Sequence, residues 1–288
     1  MTTVRIARGL RLPPAAAADL LTRLGAWREL LPPDAVFSHR TAGELHQLWL
    51  PGATGARVEV TVPSPRPEST TAPQRPELRA HRRGLLPVDV GEVAGLPATG
   101  VGRTWCDLAE VLALPDLVAA GDSALRGGAT HTDLLGALAR RRCPRGRRRA
   151  RAALPLLCGR ARSRPESLLR VALLTAGLPA PLVNVAVHDG FGQWVAEPDL
   201  AYAEARLAIE YQGALHADPD RMRRDLTRGL DLHRAGWLVL NYSAPDLRHP
   251  DTVAADVRRA LAARAPHLLT RPRPRTGTPP LATDGSRP

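Results

Sequence analysis

The chain has 288 residues, 44% of them hydrophobic, which is enough for two domains with buried cores. All 40 basic residues are arginine, set against 28 acidic ones, so the net charge of +12 favours nucleic acid or another polyanion as partner. Three scattered cysteines (Cys106, Cys143, Cys158) exclude a disulfide framework or a CxxC metal pair, and no apolar run reaches signal-peptide or membrane-spanning length, so the expectation is a cytoplasmic protein without membrane contact.

Residues 1–35 read as a helical segment bracketed by Pro13, Pro14, Pro32 and Pro33, with Gly25 as a candidate break. A second stretch, 36–142, reads as a small α+β domain. Ser38 or Thr41 is placed to cap a helix over Ala42–Leu48. ARVEVTV (56–62), LRAHRRGL (78–85) and VGEVAGLPAT (90–99) read as strands, and the Pro/Ser/Thr-rich 63–77 as a loop. Three helices follow. Thr104 is a candidate cap for the first, with Asp107 in its first turn, and Thr130 or Thr132 caps the third. RRRCPRGRRRAR (140–151) is the densest run of charge in the chain. It reads either as a basic linker over 143–159 or as a phosphate-contacting element, with Arg145, Arg147, Arg148 and Arg149 as the candidate contacts.

A further domain is expected over 160–265. Its first helix carries Ser163 as cap, Pro165 in the first turn and Glu166 three residues past the cap. A strand over 181–189, a turn at 189–193, two strands within 194–212, a helix over 219–236, a buried strand over 237–243 and a final helix over 249–264 complete it. The Pro/Arg/Thr-rich tail, 266–288, reads as disordered. Chemistry concentrates in EPDLAYAEARLAIEYQ (197–212). Residues two apart in a strand share a face, so Glu210 and Gln212 point one way and Leu207 and Ile209 the other. If the two strands pair as a hairpin, Asp199 comes close to Glu210. Clustered carboxylates repel unless a proton or cation neutralises them, and a hard divalent ion with oxygen ligands, Mg²⁺ or in its place Mn²⁺, suits such a set.

PESLLR, PDLAY, LAIEYQGALH and RRDLTRGLDLHRAGWLVL resemble the PD-(D/E)XK nuclease superfamily, in its very-short-patch-repair-like branch. The resemblance implies an α/β fold: a restriction-endonuclease-like αβββαβ core with a mixed sheet, preceded by the smaller α+β domain. It also implies a metal-dependent DNA endonuclease in which Glu166, Asp199 and Glu210 hold the metal and Asp199, Glu210, Gln212 and His216 form the catalytic set. Gln212 stands where that superfamily usually carries Lys. Asp225 and Arg228 share a helix face as a candidate ion pair, and Trp237 reads as core. SHRTAGELHQL, VEVTVP, HRRGLLP and GLPATGVGRTWCDLA resemble the antitoxin of type IV abortive-infection toxin–antitoxin systems. That second likeness implies the alternative function, a DNA-binding regulator with an inactive nuclease fold, and a toxin protein as partner. Ser38, His39, Arg40 and Thr41 read as helix capping and loop packing.

Overall fold

The computed structural model describes residues 2–52, 57–63, 75–141, 143–189, 191–213 and 229–270. The chain is mixed α/β and divides into two compact units, Met1–Ala150 with Cys158–Leu168, and Arg151–Leu157 with Leu169–Pro288. Among the described residues, no helix is long and apolar enough to cross a membrane.

The N-terminal stretch is not purely helical. It opens with an antiparallel hairpin, β1 (Val4–Ala7) and β2 (Leu10–Leu12), before α1 (Pro14–Ala18) and α2 (Leu20–Arg28). The helices part at Asp19 rather than at Gly25, because the Asp19 carboxylate accepts a hydrogen bond from Thr22 N at 2.7 Å and caps α2. The body of the first unit is a five-stranded sheet built from β3 (Val36–Phe37), β4 (Val58–Pro63), β5 (Leu78–Arg83), β6 (Val90–Val93) and β7 (Leu96–Thr99). Its order is β5-β4-β3-β7-β6, with β4–β5 and β3–β7 parallel and the other pairs antiparallel. The single strand expected over 90–99 is a hairpin. Ala94 and Gly95, at φ 51 and 79, form its left-handed tip.

Helix α3 (His39–Leu45) follows β3, and α4 (Val101–Leu108), α5 (Leu114–Arg126) and α6 (His131–Arg140) follow β7. Thr130 and Asp133 close a capping box on α6. Thr104 does not cap α4. Gly100 holds that position, and the buried Thr104 hydroxyl donates to Thr99 O at 2.9 Å. The core of this unit gathers Leu24, Trp27, Phe37, Val58, Val60 and Val62.

Helices α7 (Arg147–Ala153) and α8 (Arg164–Thr175) contribute to both units. In the second unit, the strand expected over 181–189 breaks at Asn184, which takes φ 47. The pieces are β8 (Leu182–Val183) and β9 (Val187–His188), and β9 pairs with β10 (Trp194–Ala196) around the 189–193 turn. β11 (Leu200–Tyr202) and β12 (Leu207–Tyr211) follow, then helical residues 229–234 (α9) and β13 (Leu238–Tyr242). The sheet order is β13-β12-β11-β8, with only β12–β13 parallel. β13 lies at the sheet edge and is largely uncovered, not buried as its apolar run suggests. α10 (Pro250–Arg264) is followed by α11 (His267–Thr270), so the expected disorder does not begin at 266, and Leu268 is buried. Residues 271–288 lie outside the described part.

Candidate active site

The hairpin expected around 197–212 forms. Leu200, Ala201 and Tyr202 pair with Ile209, Ala208 and Leu207, so one further step of the register sets Asp199 beside Glu210. Asp199 Oδ2 accepts from Tyr211 N at 2.8 Å, and Asn184 N donates to Asp199 O at 3.0 Å. Both acids are half-buried. By strand parity Glu210 shares the face of Ala208, which packs with Ala201, Leu232 and Trp237 in the core cluster on that side, while Asp199, just before β11, turns its carboxylate to the Tyr211 amide. Trp237 is therefore core, as expected. Gln212 N donates to Tyr242 O at 2.7 Å, and its side chain is exposed two residues beyond Glu210. The donor set of two carboxylates and one amide is all oxygen, which fits a hard divalent cation. His216, Asp225 and Arg228 lie outside the described residues.

Glu166 lies in the first turn of α8 and binds the segment that enters it. Its Oε1 accepts from Ser163 Oγ at 2.8 Å, its Oε2 accepts from Arg162 N at 2.8 Å, and Glu166 N approaches Ser163 Oγ at 3.4 Å. It belongs to the first unit, whereas Asp199 and Glu210 belong to the second. The basic run is partly structural. Arg149 Nη1 donates to Ala109 O at 2.8 Å, and Gly146, at φ 73, sits so close that an added Cβ would lie 2.6 Å from the Ala109 carbonyl carbon. Arg147 and Arg149 are half-buried, and Arg145 and Arg148 are exposed.

The first unit holds a second polar cluster. Val58, Val60 and Val62 enter the apolar core, so Glu59 and Thr61 point to the other face of the sheet. The register sets Thr61 beside His81 and Glu59 beside Arg79. That face is not solvated, for Glu59, Thr61 and His81 are all buried. His39, wholly buried at the start of α3, takes φ 49 and stacks on His81 with ring centroids 3.6 Å apart and planes 11° off parallel. Ser38 does not cap α3. Its hydroxyl lies 3.0 Å from His39 Nδ1 and accepts from Thr61 Oγ1 at 2.9 Å, while Thr41 Oγ1 accepts from Glu59 N at 2.9 Å.

Helix α4 brings Arg103, Asp107 and Glu110 to the same region. Arg103 Nε donates to the two Asp107 oxygens at 3.1 and 3.0 Å, and its Nη1 reaches Asp89 at 3.3 Å. Arg141 pairs with Asp107 at 3.3 Å and with Glu110, and Arg83 meets Glu110 at 3.3 Å. Asp107 is thus an interior ion-pair member in the last turn of α4, not an acid of its first turn. Burial, then the His81 ring and the Arg83, Arg141 and Arg103 guanidiniums, pull His39 down to about 2. Burial, with Arg79 and Arg83, pulls His81 down to about 4. Burial also pushes the carboxyls of Glu59 and Asp107 up, with neighbouring arginines opposing it. Among the described residues, the ligand atoms of His39, Glu59 and His81 lie within 4.8 Å of one another, as do those of His39, Asp107 and Glu110. The readable signal for this cluster is a run of charges (Glu59, Arg79, His81, Arg83) on alternate positions of two strands. Alternation alone does not distinguish water from a polar interior.

No family model matches the chain. The crystal structure of the RV2827C protein from Mycobacterium tuberculosis is similar over 59% of this chain and 65% of its own, with 16% identity and a TM-score of 0.35, too slight a likeness to establish a shared fold. The uncharacterized proteins MT2308 and Rv2248, from two Mycobacterium tuberculosis strains, are each 32% identical over 250 residues, which is 86% of this chain and 89% of theirs. The chain belongs to the family of these two mycobacterial proteins.

Proposed function

We propose that the second unit is a metal-dependent DNA endonuclease that hydrolyses phosphodiester bonds in the cytoplasm. The observation that carries this reading is the hairpin register, which one step past Leu200–Ile209 brings Asp199 next to Glu210. Two carboxylates brought near each other offer a hard divalent ion the oxygen ligands it prefers. Asp199 and Glu210 would hold Mg²⁺ or Mn²⁺. The bound metal supplies a water of lowered pKa and charge stabilisation at the scissile phosphate. The Tyr211 amide, donating to Asp199 Oδ2, orients that carboxylate. Gln212 can orient a water through its amide but brings no positive charge to a phosphate. His216 is the further candidate for positioning water or phosphate. The exposed Arg145 and Arg148 suit backbone phosphates, where each neutralised charge releases counterions.

Nicking of supercoiled plasmid in Mg²⁺ or Mn²⁺ tests the reading. Wild type should nick, while Asp199→Asn and Glu210→Gln should lose at least about 100-fold in rate. Equal nicking by wild type and Glu210→Gln removes the site from the chemistry. The uncharged Gln212 favours a second reading, a DNA-binding regulator of antitoxin type, with a toxin protein as partner and a nuclease fold that no longer cuts. It predicts salt-dependent retardation of duplex DNA by wild type with no cleavage in either metal.

A further inference from the structure

We propose that the first unit carries a site for a divalent transition metal of the Zn²⁺ class, held by His39, His81 and Glu59. This does not rest on the nuclease reading, which concerns other residues. Nitrogen donors choose such an ion over Mg²⁺, and two imidazoles with one carboxylate form an open set that leaves a fourth position for water or a substrate atom.

Four observations converge. The three ligand atoms already lie within 4.8 Å of one another, whereas tetrahedral Zn²⁺ with bonds of about 2.0–2.1 Å needs them about 3.4 Å apart, a closure within reach of side-chain rotation. The Nε2 atoms of His39 and His81 are buried and make no hydrogen bond, so two polar atoms have been taken out of water with nothing yet in exchange. The other nitrogen of His39 is held by Ser38, which Thr61 holds in turn; such an outer shell fixes a ligating ring and leaves Nε2 to the metal. His39 also takes a left-handed backbone conformation, strain of the kind that persists where function demands it.

The alternative set, His39 with Asp107 and Glu110, is disfavoured because Arg83, Arg103 and Arg141 already neutralise those two acids. Glu59 has a looser cation neighbour, Arg79, at 3.6 Å and half exposed. Binding requires the stacked rings to turn about χ2 so that their in-plane lone pairs meet at one point.

The test titrates Co²⁺ into the full chain carrying Glu210→Gln, so that the carboxylate pair of the second unit takes no part, with Zn²⁺ as competitor. The expected result is one equivalent bound with the visible d–d absorption of tetrahedral Co²⁺, displaced by Zn²⁺. His81→Gln and Glu59→Gln should abolish the band and weaken binding at least about 100-fold, and Ser38→Ala, at a positioning residue, should weaken it about 10- to 100-fold with the band retained. Absence of the band in the parent protein overturns the proposal, as does an unchanged band in His81→Gln. If either ligand variant fails to fold, X-ray absorption of the Zn²⁺-loaded parent decides. Two imidazoles and no sulfur support the site, and a thiolate ligand or fewer than two imidazoles refutes it.

Discussion

Arg141 is a side chain whose loss should be out of proportion to its place in a run of surface charge. It is 2% exposed, faces Asp107 at 0% exposure across 3.3 Å, and also binds Glu110. At an effective dielectric of about 20, a pair at that distance interacts by about 5 kcal/mol before desolvation is counted. Removing one member leaves the other charge buried, and such losses run about 3–5 kcal/mol. Arg103 also contacts Asp107 and partly compensates that acid, but among the described residues Glu110 then keeps only Arg83 as a charged partner. Arg141→Ala should therefore destabilise the first unit by roughly 3–4 kcal/mol. Arg145→Ala, four residues on and exposed, should stay within about 0.5 kcal/mol of wild type. Urea unfolding at pH 7, followed by tryptophan fluorescence, reads both, since Trp105 is buried in α4 two residues before Asp107. The double variant Arg141→Met with Asp107→Asn should recover at least about 1 kcal/mol relative to the sum of the single losses. A loss below about 1 kcal/mol for Arg141→Ala, equal to that of Arg145→Ala, would refute the reasoning.

Stability should fall with acid below about pH 6.5, because the unfolded histidines take up protons there and the folded rings of His39 and His81, held down to about 2 and about 4, do not. Each ring contributes up to about 1.4 kcal/mol per pH unit down to pH 4. The raised carboxyls of Glu59 and Asp107 act in the opposite direction over the lower part of that window. Urea midpoints at pH 7, 6 and 5 check this, and His81→Asn should flatten the slope; a midpoint that does not fall refutes it. Gln212→Lys should raise Mg²⁺-dependent nicking about 10-fold or more by restoring a cation beside the phosphate, with the same plasmid assay as readout. Arg145→Ala and Arg148→Ala should each weaken DNA binding uniformly across sequences and reduce the slope of log K against log salt by about 1, measured by fluorescence anisotropy.

The carboxylate pair was legible because a period of two fixes faces and the hairpin register does the rest: Ala201 and Ala208 pair, and Asp199 meets Glu210. Caps were legible where a short polar side chain found its partners within its own first turn, as at Thr130 and Ser163. They failed where tertiary partners outcompeted the helix end. Ser38 binds His39 and Thr61, and Thr104 binds Thr99, each a partner that no local window contains. The hairpin at Ala94–Gly95 was hidden because the flanking residues read as one continuous strand and Ala is an unusual residue at positive φ. The histidine cluster was hidden for a broader reason. Its members come from positions 39, 59 and 81, on three separate elements, and each one alone reads as a solvated polar residue.

Asp122 has a bearing on how this chain is made. It is fully buried in α5, and its carboxylate accepts from Cys158 N at 2.6 Å and from Ser167 Oγ at 2.7 Å. Both donors lie in Cys158–Leu168, the segment that returns to the first unit after the chain has already contributed Arg151–Leu157 to the second. On the ribosome, the first unit therefore cannot bring these donors to Asp122 until residue 167 has left the exit tunnel, by which point part of the second unit has emerged. A single cut between the units cannot separate them cleanly, and a fragment ending at residue 150 would bury Asp122 without these two donors.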